Sequence, residues 1–175
     1  MALSITREVH VKRAFEVTTN ALVAIVAVLL LYQFLSQRVN GPHQVAAGDH
    51  LPAIEGVSWG DHESALLLVM RKGCHFCEDS MPFYRRLAAL RDGHQTGAYM
   101  VAAFPDSAED ARGVIEQEKL DIPYVANVAG SRVNATGTPT LILVDRRGVV
   151  RQVWIGELQP DAEASVIKAL KPTGT

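Results

Sequence analysis

The sequence predicts an α/β domain, with a central mixed sheet flanked by helices, preceded by one N-terminal transmembrane helix. Short apolar runs with the length of buried strands alternate with segments whose apolar residues recur at helical spacing. This alternation is typical of a largely parallel sheet. Two apolar runs near the C-terminus are joined by a short polar turn and add an antiparallel hairpin. One long uncharged run near the N-terminus predicts the additional helix.

Size and charge limit the classes of protein to which the chain can belong. Its 175 residues, 48% of them hydrophobic, suffice for one domain of ordinary size and an extra apolar segment. The formal net charge of -2 gives no sign of a nucleic-acid partner. We therefore predict one globular unit that does not bind nucleic acid.

The apolar excess lies in one uncharged run, Val17 to Leu35. At about 1.5 Å of rise per residue, a helix of this length matches the ~30 Å hydrocarbon core of a bilayer. Because the run is apolar on every face, it favours a membrane anchor over a buried core helix.

The charges that flank this run predict its orientation. Arg7, Lys12 and Arg13 precede it, whereas Arg38 alone closely follows it. By the positive-inside rule, residues 1–16 are then cytoplasmic. The predicted location is the cytoplasmic (inner) membrane, with a single pass and an extracytoplasmic or periplasmic domain.

A cleaved signal peptide is the competing interpretation of the same segment. Ala21 to Leu31 would be its apolar region, and Val45-Ala46-Ala47 offers a weak small-residue cleavage site. The long separation between the two favours an uncleaved anchor.

The folded domain is predicted to begin near Asp49. Residues 36–48 include Gly41-Pro42 and several polar side chains without periodicity, and they are typical of a tether. Residues 49–175 then form the domain. Its predicted elements are a strand over Ser64–Met70, a helix over His75–Arg91, a strand over Ala98–Phe104, a helix over Ala108–Lys119, a strand over Ile122–Val125, a hairpin of Thr140–Val144 and Val149–Ile155, and a helix over Asp161–Leu170.

The two cysteines of the chain, Cys74 and Cys77, stand where the first strand gives way to a helix. Two thiols separated by two residues can close a small disulfide ring. Unpaired N–H groups and the helix dipole favour the thiolate of the cysteine nearer the helix start. A redox dithiol with Cys74 as the nucleophile is therefore the leading hypothesis.

Other uses of a cysteine pair fit the sequence less well. Two cysteines are too few for a disulfide scaffold or a four-cysteine zinc site, and Glu78 after Cys77 breaks the haem attachment pattern. A redox pair and a plain structural disulfide both remain open. A third alternative, metal delivery through the cysteines with His75 or His94, is weaker because His75 lies between the sulfurs in sequence and His94 is far along the chain.

In three further features the sequence resembles the thioredoxin superfamily, and in particular its membrane-tethered TlpA/ResA-type branch. Pro82 falls five residues after the second cysteine, Gly137-Thr138-Pro139-Thr140 opens the hairpin, and Leu141 through Gly148, with Gly156 eight residues later, matches the closing hairpin. The resemblance covers about Asp49 to Leu170. It includes the inserted strand and helix between Ala98 and Val125.

This resemblance implies a thioredoxin-like fold and a protein thiol–disulfide oxidoreductase that acts through Cys74 and Cys77. It implies that Pro139 follows a cis peptide bond and lies against the dithiol, leaving the backbone of Thr138 to pair with a substrate segment. Relatives of this type usually act as reductants, for example in cytochrome c maturation, and draw electrons from a membrane donor. No cofactor and no metal are expected.

The active-site loop is predicted to comprise Gly73, His75 and Phe76. His75 either lowers the pKa of Cys74 or is a solvent-exposed loop residue with no electrostatic role. Arg71 and Lys72 would also lower the pKa of Cys74 if they turned inward, although solvated turn residues are the simpler interpretation of both. Glu78 and Asp79 oppose them, so the sign of the net effect stays open.

Two departures from the thioredoxin pattern bear on function. Leu68 stands where thioredoxin has a buried acid six residues before the first cysteine, and Gly73 replaces the usual tryptophan. Glu55 and Glu63 are candidate substitutes for that acid by analogy, although exposed charge is the simpler role for both. Trp59 and Phe76 are candidates for an apolar rim around the site, or for packing within the fold.

The main prediction is therefore an anchored extracytoplasmic oxidoreductase that exchanges disulfides with exported proteins. The alternative from another class is a thioredoxin-fold binding or assembly module in which Cys74–Cys77 is a permanent structural disulfide.

Overall fold

The computed structural model describes residues 18–34, 43–93 and 96–171, which fall into two units divided after His43. In the first unit, residues 18–34 form helix α1, whose residues are all exposed. Across the part of the chain that the structure describes, no helix combines the length and apolarity needed to cross a membrane. Both ends of the predicted span, Val17 and Leu35, lie outside the described residues, as do residues 1–16 and most of the tether.

The second unit is built on a sheet of five strands among the described residues. In chain order they are β1 (Ser64–Val69), β2 (Ala98–Ala103), β3 (Tyr124–Val125), β4 (Thr140–Asp145) and β5 (Val150–Ile155), and their spatial order is β3-β2-β1-β4-β5. β1, β2 and β3 are parallel, whereas β4 pairs antiparallel with both β1 and β5. The predicted mixed sheet with a closing hairpin is confirmed.

Four helices accompany this sheet in the described residues: α2 (His75–Asp79), α3 (Met81–Asp92), α4 (Ala108–Gln117) and α5 (Pro160–Leu170). The prediction of one helix from His75 to Arg91 was wrong in one respect, because Ser80 interrupts it and divides it into α2 and α3. Pro82 lies in the first turn of α3, where its missing N–H costs nothing, and the Ser80 hydroxyl donates to the Phe76 carbonyl 2.7 Å away. α4 also ends two residues before the predicted Lys119, which adopts a left-handed φ of 50°.

Alternate side chains of the strands enter two apolar clusters, one on each face of the sheet. Leu66 and Leu68 of β1 pack with side chains of α2 to α5, whereas Leu67 and Val69 pack against the segments before β1 and before β4. These four side chains are at most 1% exposed. Burying each of them contributes about 1.5–3 kcal/mol, and β1 is also the middle strand of the sheet.

The segment before β1 covers the second face of the sheet. Val45 is 3% exposed, and its N–H donates to the Asn134 carbonyl at 2.9 Å. The compact unit therefore includes Gln44 to Gly48, whereas the sequence places the start of the domain near Asp49. Gln44 to Gly48 has no periodicity and follows Gly41-Pro42, so the sequence gives no sign that Val45 faces the core.

Candidate active site

The two cysteines form a disulfide at the end of β1, where the chain enters α2. Cys74 is the N-cap of α2: its backbone is extended, and its sulfur accepts from the Cys77 N–H at 3.3 Å. Cys74 keeps 6% of its surface exposed and Cys77 only 2%. Cys74 is therefore the more exposed of the two residues, and we call its sulfur the outer one and that of Cys77 the inner one. The assignment of Cys74 as nucleophile stays a prediction.

A loop from the far end of the chain completes the site. The Thr138–Pro139 peptide bond is cis, as the resemblance implied. The Thr138 hydroxyl lies 3.4 Å from the Cys74 sulfur and its carbonyl oxygen 3.5 Å away. Gly156, which follows β5, donates its N–H to the Pro139 carbonyl at 2.8 Å and ties the loop to the hairpin. The hairpin thus positions Thr138 beside the outer sulfur.

The charged side chains near the disulfide face away from it or pair with one another. His75 is exposed, and its Nε2 lies 3.2 Å from an Asp79 oxygen. The Lys72 ammonium binds Asp110 of α4 at 2.5 Å, and this pair raises the pKa of Lys72 and lowers the pKa of Asp110. Arg71 is exposed. The possibility that Lys72 turns inward to the thiolate is therefore not realised.

The place of the missing buried acid is filled by an apolar side chain. Leu68 is 1% exposed, and no acidic residue is among the buried side chains of the described residues. Glu55 and Glu63 are both exposed, and Glu63 adjoins the end of β1 farthest from Cys74. Neither residue therefore replaces the buried carboxylate.

A cavity of about 520 Å³ adjoins the inner sulfur. It separates the active-site turn from α4, and its walls include Cys77, Met81 and Val114 together with the carboxylates of Glu78, Glu109 and Glu118. A space of this volume admits water. Cys77 therefore borders a cavity with a mixed polar and apolar lining, a feature that has no signal in the sequence.

Of the two aromatic residues proposed for an apolar rim, only Phe76 lies at the site. Phe76 is 54% exposed, whereas Trp59 is 9% exposed and packs against Gly148 in the turn between β4 and β5, at the opposite end of the sheet. The prediction for Trp59 as a rim residue was wrong, and its alternative role in packing holds.

The sequence did not single out Ile155, although it is exposed beside the site. It is 52% exposed and pairs across the hairpin with Thr140, the residue after Pro139. In the described part of the folded unit, Phe76 and Ile155 are the exposed large hydrophobic side chains. A large β-branched side chain in a strand indicates core packing, so only the place of Ile155 beside the cis-proline reveals it.

The metal-delivery alternative finds no support in the described residues. No group of three or more His, Cys, Asp or Glu side chains lies close enough there to hold a metal ion. His94 lies outside the described residues.

A disulfide at a helix start facing a cis-proline, on a mixed sheet flanked by helices, defines a thioredoxin-like fold. The chain shares this fold with many solved structures. One is a thiol:disulfide interchange protein from Bacteroides sp., with 22% identity, 72% of this chain and 91% of that chain covered, and a TM-score of 0.57.

Two other solved structures share this fold with the chain. The thioredoxin domain of a thiol-disulfide oxidoreductase from Bacteroides vulgatus has 22% identity, with 73% of this chain and 100% of that chain covered and a TM-score of 0.58. StoA from Bacillus subtilis has 18% identity, with 72% and 98% covered and a TM-score of 0.52. No family model matches the chain, and no curated protein does.

Proposed function

We propose that the protein is a membrane-anchored thiol–disulfide oxidoreductase that exchanges disulfides with other exported proteins. The observation that carries the proposal is the Cys74–Cys77 disulfide at a helix start with the Thr138 hydroxyl 3.4 Å from its outer sulfur. Structures of similar fold are described as thiol:disulfide interchange proteins and oxidoreductases, which supports the same chemistry here.

The reaction begins from the reduced dithiol. The Cys74 thiolate attacks one sulfur of a partner disulfide, forming a mixed disulfide and releasing the other partner sulfur as a thiolate. The Cys77 thiol gives its proton to solvent, and its thiolate attacks Cys74. The partner leaves as a dithiol, reduced by two electrons. The Cys74/Cys77 pair has lost those two electrons and is left as a disulfide. The reverse sequence oxidises a dithiol.

Binding of a protein substrate is assigned to the Thr138–Pro139 loop and its surroundings. An extended segment of the partner would pair with the backbone at Thr138, which brings its cysteine to Cys74. Phe76, two residues after Cys74, and Ile155, paired with Thr140, are both more than half exposed and would offer apolar contacts to the partner.

The anchor is proposed from the apolar run and its flanking charges. The described part of this run, residues 18–34, is helical and exposed along its length. Placed in the inner membrane with the N-terminus in the cytoplasm, the chain would hold its dithiol on the extracytoplasmic side. There we propose that it acts as a reductant supplied by a membrane electron donor, with cytochrome c maturation as the candidate process.

A second candidate function is a binding or assembly module with a permanent disulfide. The low exposure of both cysteines, 6% and 2%, favours it, since a sealed bond exchanges slowly.

Trapping of mixed disulfides in the full chain tests the main proposal. Cys77→Ser removes the resolving thiol, so adducts with partner proteins should accumulate through Cys74, whereas Cys74→Ser should trap few. The double variant is the background control. Equal trapping by both single variants would contradict the assigned roles. No trapping, together with no insulin reduction by the wild type, would favour the structural disulfide.

Membrane extraction tests the anchor separately. After alkaline carbonate washing, the intact chain should stay with the membrane fraction, and added protease should reach its C-terminal domain only from the extracytoplasmic side. A shortened, released chain would instead identify a cleaved signal peptide.

A further inference from the structure

The turn between β1 and Cys74 is an exposed segment that is attached to the rest of the domain through one of its residues, Lys72. Arg71, Lys72 and Gly73 are all exposed, between the buried Met70 and Cys74. Gly73 has a φ of +65°, a backbone conformation that favours glycine. Cys74 is held from its C-terminal side as the N-cap of α2, and from its N-terminal side by whatever holds this turn.

Lys72 supplies the attachment through its main chain. Its N–H donates to an Asp106 carboxylate oxygen at 2.9 Å. Asp106 lies between β2 and α4, and its own carbonyl accepts from the Asn127 N–H at 3.0 Å. The acceptor is thus part of an ordered turn.

The Lys72 side chain adds a second contact to the same region. Its ammonium binds Asp110, which also accepts from the hydroxyl of Ser107, the N-cap of α4. The two charged side chains are 62% and 38% exposed. Exposed ion pairs contribute little, so the main-chain bond to Asp106 is the contact expected to hold the turn.

We propose that Asp106 is a positioning residue for the dithiol, holding the Arg71–Gly73 turn so that Cys74 stays at the start of α2 within reach of both Cys77 and Thr138. This inference rests on the proposed function of the Cys74–Cys77 pair. A free turn gives Cys74 more conformations, and closing the disulfide then costs more chain entropy.

The equilibrium of the full chain with a glutathione redox buffer measures this effect. In Asp106→Ala the equilibrium constant for closing the Cys74–Cys77 bond should fall roughly three- to tenfold, which makes the couple more oxidising. Asp106→Asn keeps an oxygen acceptor and should restore the constant to within about twofold of the wild type. Lys72→Met keeps the N–H, loses only the ion pair, and should also stay within about twofold.

Each outcome decides for or against the proposal. An unchanged constant in Asp106→Ala would overturn it. Equal shifts in Asp106→Ala and Asp106→Asn would overturn it too, because the charge would then be the cause. If Asp106→Ala does not fold, Lys72→Pro removes the donor from the other side and should lower the constant relative to Lys72→Met. If it does not, the proposal is wrong. The glutathione measurement needs no partner protein, so its result is separate from a failure of the trapping experiment.

Discussion

At the scale of single residues, the site depends on a threonine that stands 64 positions from the cysteine it contacts. The Thr138 hydroxyl donates toward the Cys74 sulfur, and the Cys77 N–H points at the same atom from the helix. Two donors directed at one sulfur stabilise its negative charge when the disulfide opens.

Thr138→Val tests this contribution. Removing the hydroxyl should raise the pKa of the Cys74 thiol and slow its alkylation at neutral pH, because less of the sulfur is ionised. A bond at this length contributes on the order of 1 kcal/mol, or several-fold in rate. The rate of iodoacetamide reaction is measured in a Cys77→Ser background, and Thr138→Ser is the matched control. A valine variant as reactive as the serine variant would show that the hydroxyl has no such role.

Phe76 carries a second prediction at this scale. Because its side chain is 54% exposed beside the disulfide, Phe76→Ser should leave the protein stability nearly unchanged. It should slow the reduction of protein disulfides several-fold while sparing exchange with glutathione, which is too small to use an apolar contact surface. Ile155→Ser is the companion variant. Equal loss with both kinds of substrate would indicate damage to the dithiol itself.

At the scale of elements, the β4–β5 hairpin positions the cis-proline loop. Asp145 stabilises the turn that joins β4 to β5. The Asp145 carboxylate accepts from the Arg147 N–H at 2.8 Å and from the Val149 N–H at 3.1 Å. Burial acts to raise the pKa of Asp145, but these hydrogen bonds outweigh it and leave the pKa below its ordinary value.

The lowered pKa of Asp145 predicts how stability depends on pH. The folded pKa lies below the unfolded one, so the stabilisation is complete above pH ~4 and is lost as the pH falls through the folded value. Asp145→Ala should cost on the order of 1 kcal/mol at pH 7 and less in acid. Urea unfolding at pH 7 and pH 3 measures this, with Asp145→Asn as the variant that keeps an acceptor. A cost that does not change with pH would exclude ionisation as the cause.

At the scale of the whole molecule, the disulfide is a short cross-link within a fold that has an extensive core of its own. It joins residues three apart in sequence, so it closes a small ring in the unfolded chain. The cluster on one sheet face contains neither cysteine, and in the cluster on the other face Cys74 and Cys77 are two among many buried apolar side chains. The domain is therefore expected to stay folded in both redox states, as exchange requires.

Reduction should lower the free energy of unfolding by about 2 kcal/mol, the loop entropy expected for so short a ring. Denaturant unfolding of the full chain with and without dithiothreitol gives the difference, and a Cys74→Ser/Cys77→Ser variant should match the reduced protein. Unfolding on reduction would contradict an exchange function and favour a structural disulfide.

The sequence by itself determined the strands, the hairpin, the cysteine pair at a helix start and the threonine–proline step, because periodicity and covalent spacing are local properties of the chain. The tertiary structure alone decided which distant groups meet. Lys72 pairs with Asp110 instead of facing the thiolate, Trp59 packs beside Gly148, and Ile155 lies beside the cis-proline loop. These outcomes depend on contacts between segments many residues apart, and the free energy of such contacts is set by packing and desolvation that no local pattern encodes.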